Sequence, residues 1–307
     1  MERRTRILGA VLILIGMPAL LALSEAISFH VRNRNNGSIV SSGQKREYLL
    51  YVPRSYDRSR PTPLVISMHG AGGWPVLQME LSGWNRLAES ERFIVVYPSG
   101  IDAAGPRIWG VGTGPRLGKD VRFIAELIDK LERSYNIDRT RIYADGLSNG
   151  GGMAFVLSCK LADRIAAVGL VGSAQTLPWS WCTERRAVPM MAIHGTADRM
   201  AFYDGGSSWV APDLPSIPRW TANWARRNRC DAKPVESAVT ADVTRREYVH
   251  CADDASVVLL TVKGGGHSWP GGGPLPEWFV GPTNRSVDAT RELWTFFRAH
   301  PLSSRWR

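Results

Sequence analysis

The residues best suited to chemistry form one short string, Gly146-Leu147-Ser148-Asn149-Gly150. A Gly-x-Ser-x-Gly string alone is a weak signal in a chain with 30 glycines. Its setting adds weight, because the expected strand Arg141–Ala144 runs directly into it and a helix is expected over Asn149–Ser158. A serine on so tight a strand-to-helix turn presents its hydroxyl above a sheet edge, and the helix N-terminus below favours developing negative charge. The flanking glycines then have a cause, since side chains there would collide with neighbouring backbone. The plain alternative is a glycine-rich turn with an incidental serine.

A serine hydroxyl alone is a poor nucleophile. It needs an imidazole base, and the imidazole needs a carboxylate to orient it. At a turn of this kind the three follow in the order serine, acid, histidine. That order leaves His194, His250, His267 and His300. His194 precedes the candidate acid, His250 sits beside Cys251 in an expected strand, and His300 ends the last helix. His267, following Gly264-Gly265-Gly266, is therefore the expected base. Asp198, in the loop after the strand Met190–Ile193, is the expected acid, with Asp204 its main rival and Asp213 behind it. An Asx turn or helix cap is the plain reading of Asp198. The developing oxyanion requires two backbone N–H donors. Asn149 supplies one, and His69-Gly70-Ala71-Gly72-Gly73 supplies the other, with Ala71 the first choice and Gly72 the second. His69 is expected to hydrogen-bond loop backbone. No metal or organic cofactor enters this chemistry.

These groups lie far apart in the chain, so a framework must bring them together. Short apolar runs at Glu47–Val52, Leu64–Met68, Phe93–Tyr97, Arg141–Ala144, Ile165–Val171, Met190–Ile193 and Val257–Val262 read as strands. Between them, Gly118–Tyr135, Asn149–Ser158, Arg219–Asn228 and Val287–His300 carry helical periodicity. Such alternation predicts an α/β fold, a doubly wound, mainly parallel sheet with helices on both faces. The segments Ala71–Gly83, Gly100–Leu117, Phe202–Pro218 and Gly264–Pro282 are long for loops, and long loops at strand ends usually carry function.

The chain has 307 residues, 44% of them hydrophobic, with 38 Lys and Arg against 28 Asp and Glu, a net charge of +10. That balance excludes a disordered chain, and a single strongly apolar stretch excludes a multi-span membrane protein. The basic residues are scattered with no interleaved aromatics, so nucleic acid is not an expected partner, and no protein partner is evident. Residues 1–26 read as an export signal: Arg3, Arg4 and Arg6 precede an apolar run from Ile7 to Leu23, and Ser24-Glu25-Ala26 offers a cleavage site. As a helix that run would be about 25 Å long, so a retained membrane anchor is the competing reading. Residues 27–307 are then one catalytic domain, secreted or periplasmic. Four cysteines in an exported chain favour two disulfides among three possible pairings. Cys159–Cys182 and Cys230–Cys251 are expected, because each closes a loop of about 20 residues.

With these residues in hand, the chain resembles the polyhydroxybutyrate-depolymerase-like esterases, secreted α/β-hydrolases, and is similar to feruloyl and acetylxylan esterases. The resemblance covers about residues 45–300. It rests on the HGAGG segment, Trp109, Asp120-Val121-Arg122-Phe123-Ile124, the serine string with Gly151, His194-Gly195-Thr196-Ala197-Asp198, Tyr203-Asp204-Gly205-Gly206, and Gly266-His267-Ser268-Trp269-Pro270-Gly271. It places the family's serine, aspartate and histidine on Ser148, Asp198 and His267, and it supports the two disulfide pairs. It also implies that Trp269, with Trp109 and Tyr203, lines the acyl or alcohol pocket; packing beneath loops is the alternative. Two features depart from the pattern. Gly152 extends the glycine pair after the serine string, and no polymer-binding module or linker is present. Soluble feruloyl, acetyl or hydroxyalkanoate esters are thus the expected substrates rather than insoluble polyester. The remaining readings are a peptidase or amidase with the same triad, a non-catalytic cell-wall binding protein, and a metal hydrolase using His194, Asp198 and His267.

Overall fold

The computed structural model describes residues 35–306, apart from 103–106, 176, 183–185, 209–212 and 274. The expected export segment, 1–26, lies outside the described residues. Ten strands form one sheet: β1 (Gly37–Ser41), β2 (Gln44–Tyr51), β3 (Thr62–Met68), β4 (Ile94–Pro98), β7 (Ile137–Leu147), β8 (Ala167–Val171), β9 (Met190–Gly195), β10 (Val235–Ala238), β11 (Val243–Tyr248) and β12 (Val257–Val262). The short pair β5 (Ile101–Asp102) and β6 (Arg107–Ile108) stands apart. The order across the sheet is β1-β2-β4-β3-β7-β8-β9-β12-β11-β10. From β4 to β12 every pairing is parallel, and the strands outside them pair antiparallel. The expected doubly wound, mainly parallel sheet is present; this is the α/β-hydrolase architecture.

Alternation along β3 shows how the sheet is covered. Leu64, Ile66 and Met68 pack into one apolar layer and Val65 into the other, and all four are fully buried. The first layer takes Phe123 from the helix Pro115–Ser134, Phe155 from Asn149–Lys160 and Trp224 from Ile217–Arg227. The second takes Trp84 from Trp84–Glu91 and Trp294 and Phe297 from Ala289–Ala299. Strands buried on both faces lose the polar alternation of a half-exposed strand, which is why they read as continuous apolar runs.

Part of this framework was not anticipated. Within the segment read as the loop Ala71–Gly83, a helix runs over Pro75–Ser82, and Gly83 at φ 66° separates it from the next. The strands β1, β10 and β11 mix polar and apolar residues, and only β10 is exposed throughout, so no apolar run announced them. Both expected disulfides, Cys159–Cys182 and Cys230–Cys251, are present.

Candidate active site

Ser148 follows the last residue of β7 and precedes the helix Asn149–Lys160. Its backbone takes φ 55° and ψ −119°, a positive-φ conformation that costs a non-glycine residue on the order of 1–3 kcal/mol. The surroundings impose it. A Cβ on Gly146 would lie 2.3 Å from the carbonyl carbon of Gly150, and one on Gly150 would lie 2.1 Å from the carbonyl oxygen of Met68. The Ser148 N–H donates to Val171 O at 2.8 Å, tying the turn to the end of β8. The side chain stays half-exposed above the sheet.

Two further parallel strands, β9 and β12, deliver the other groups. Asp198 lies just past β9, buried, with Oδ1 accepting from the N–H groups of Met200 and Ala201 at 2.8 Å each. Its Oδ2 accepts from His267 Nδ1 at 2.7 Å, and His267 follows β12. Burial alone would push the Asp198 carboxyl up. Hydrogen bonds from His194 and His267, with the charges of both rings, outweigh it and hold the group well below the usual carboxylate range. An ionised carboxylate only accepts, so the ring proton of His267 sits on Nδ1 and Nε2 carries the lone pair a base needs. The segment 277–282 straps this histidine in place: Gly266 N–H donates to Pro282 O at 2.7 Å and His267 N–H to Val280 O at 2.6 Å.

Gly172, next to the Val171 carbonyl that holds Ser148, brings the two halves together. A Cβ there would lie 3.3 Å from His267 Nδ1 and 3.6 Å from Asp198 Oδ2. Among the described residues no hydrogen bond joins Ser148 Oγ to the ring; such contacts are often long in a free site and tighten on substrate. The rival acids lie elsewhere: Asp204 is exposed, and Asp213 is exposed and hydrogen-bonded to Ser207. His250 pairs with Asp231, and His300 bonds Phe296 O and Ser256 Oγ.

The loop after β3 lies against the serine, with a Cβ on Gly70 placed 3.5 Å from Ser148 Cβ. Gly72 N–H is already donated to Arg107 O at 2.8 Å, so Gly72 falls out as an oxyanion donor. Ala71 is exposed, and its N–H has no hydrogen-bond partner among the described residues. His69, as expected, binds loop backbone: Nδ1 donates to Gly70 O at 2.7 Å and Nε2 accepts from Gly100 N–H at 3.0 Å. Burial pushes its pKa down to about 4. The Asn149 side chain grips Trp109, with Oδ1 accepting from its N–H at 2.7 Å and Nδ2 donating to its carbonyl at 3.3 Å. Asp120 explains its motif: it accepts from Gly110 N–H at 2.7 Å and pairs with buried Arg46 at 2.8 Å, anchoring the Trp109 loop.

The aromatic residues expected to line the pocket behave differently. Trp269 is fully buried, its indole N–H donating to Thr290 Oγ1 at 2.9 Å, and Trp109 is buried with its indole on His69 O. Both are held as struts beneath loops and present almost no surface to solvent. Tyr203 is half-buried and shares a hydrogen bond with Thr261 Oγ1. The exposed aromatics are others: Phe202 on the Asp198 loop, and Trp278 and Phe279 on the helix Glu277–Val280 that straps His267. Sequence reasoning missed them because position, and not residue type, sets their exposure.

Residues 39–269 match the family described as "Putative esterase". The chain belongs to this esterase family. Among relatives, "Putative esterase NocK" of Nocardia uniformis subsp. tsuyamanensis is 29% identical over 271 residues, covering 81% of this chain and 78% of its own. Feruloyl esterase B of Piromyces equi is 28% identical over 230 residues, covering 73% of this chain but only 42% of that longer protein. An acetyl xylan esterase from Aspergillus awamori shares the fold, with TM-score 0.61 at 16% identity, covering 86% of this chain and 98% of its own. The esterase is a carboxylic ester hydrolase, related to feruloyl and acetylxylan esterases; none of these relatives bears the name of a polyhydroxybutyrate depolymerase.

Proposed function

We propose that this esterase is an exported serine enzyme that cleaves soluble esters through an acyl-enzyme. The buried Asp198–His267 hydrogen bond carries the reading, because it leaves His267 Nε2 bare and able to act as a base. His267 removes the Ser148 proton as Oγ attacks the ester carbonyl. Asn149 N–H and Ala71 N–H receive the oxyanion; loss of one such donor costs about 10²–10³ in rate. His267 then gives the proton to the departing alcohol, and water releases the acid by the same route. Asp198 holds the tautomer and balances the imidazolium charge. Feruloyl, acetyl and hydroxyalkanoate esters are the substrate classes to test, the first two motivated by the relatives' names. Two disulfides support an oxidising location, with residues 1–26 as signal or anchor and 27–307 as one catalytic domain.

Ser148→Ala should abolish turnover of p-nitrophenyl acetate with the circular dichroism spectrum unchanged. A fluorophosphonate should label the wild type and not the variant. Retained turnover in the variant would refute the nucleophile. Matched ester and amide substrates separate an esterase from an amidase, and a folded protein that resists labelling would point to a binding role.

A further inference from the structure

Asp198 serves two imidazoles. His194, at the end of β9 and 1% exposed, places Nε2 2.7 Å from Ala201 O and 3.3 Å from Asp198 Oδ2. A carbonyl oxygen only accepts, so Nε2 carries a proton. In the neutral ring Nδ1 is then bare, and it is buried with no hydrogen-bond partner. A buried acceptor left unpaired is destabilising, so this ring is not the most stable occupant of its position. What it does supply is an N–H that bonds the carbonyl of Ala201, the residue whose own N–H holds Asp198 Oδ1, and that lies 3.3 Å from Oδ2, the atom that orients His267.

We infer that His194 is a positioning residue that aims the Asp198 carboxylate at His267 through its Nε2–H. This rests on the triad reading above. It acts on the transition state, where His267 becomes charged and a misaimed carboxylate is most costly, and it leaves ground-state ester binding alone. Glutamine can place an amide N–H where Nε2–H sits; phenylalanine keeps the ring's shape without the donor and also removes the bare Nδ1.

The test compares His194→Phe and His194→Gln with the wild type on p-nitrophenyl acetate, together with thermal unfolding and the rate of fluorophosphonate labelling. His194→Phe should lower kcat and the labelling rate roughly 10–100-fold, with KM within about twofold and the unfolding midpoint nearly unchanged. His194→Gln should recover most of the loss. Full kcat in His194→Phe overturns the inference. So does a loss that His194→Gln shares, or one that tracks a falling midpoint, since both describe a merely structural ring. If His194→Phe does not fold, His194→Leu takes its place, and failure of both also overturns it. Ser148→Ala separates the two levels: full activity there defeats the triad itself, whereas a dead Ser148→Ala beside a fully active His194→Phe defeats only the role of His194.

Discussion

At the scale of single residues, the site depends on polar atoms held where water cannot compete. Three histidines near the centre do different work because their partners differ. His267 faces a carboxylate through Nδ1, His194 shares that carboxylate through Nε2, and His69 has both nitrogens tied to backbone. Burial keeps His69 neutral far below the ordinary imidazole range, with a pKa of about 4, against the opposing effect of its bond to Gly70 O. Its folded pKa lies below the unfolded value of 6.5, so the unfolded chain binds the proton first. The stability this group contributes is intact above pH 6.5 and is lost as the pH falls from 6.5 to 4, about 3 kcal/mol in all. A histidine NMR titration checks it: one ring should stay neutral at pH 5, and a His69 transition near 6.5 would contradict this.

At the scale of elements, three strand ends do the assembling. Strands β7, β9 and β12 each finish at the same edge of the sheet, and the turns that follow carry Ser148, Asp198 and His267. The helix Glu277–Val280 is bound to the His267 backbone and leaves Trp278 82% exposed. In the proposed mechanism His267 hands its proton to the departing alcohol, which would put this helix on the alcohol side of the ester. Trp278→Ala should lower kcat/KM several-fold on acetylated xylan, whose alcohol is a sugar chain able to stack on an indole, and leave p-nitrophenyl acetate unaffected. Equal effects on both substrates would assign Trp278 to loop support. Most of this scale was legible beforehand. The buried strands announced themselves as apolar runs, while the edge strands β1 and β10 and the strand β11 beside β10 did not, because strands that are not buried on both faces need no continuous apolar run.

At the scale of the whole molecule, the two disulfides act away from the chemistry. Cys159–Cys182 ties the end of the helix behind Ser148 to the following loop, and Cys230–Cys251 joins the turn after Ile217–Arg227 to the end of β11. They close loops of 23 and 21 residues, each contributing about 3 kcal/mol in the chain-entropy view. Reduction should thus shift the chemical-denaturation midpoint strongly downward while the still-folded protein keeps its kcat. A midpoint insensitive to reductant would show that the core alone suffices. Among the described residues no helix is long and apolar enough to cross a membrane.

The tight strand-to-helix turn at Ser148, the cysteine pairs and the parallel framework were all legible in the sequence. Each follows from local chemistry or periodicity, which a linear string records. The roles of Gly72, Trp109, Trp269 and Trp278 were decided only by tertiary structure. An N–H is free or taken according to whether a distant carbonyl such as Arg107 O arrives, and an indole lines a surface or fills a core according to what folds over it. His194 shows the same limit: chain order set it aside as the base, and only the folded distances reveal that it lies 3.3 Å from the carboxylate that orients His267.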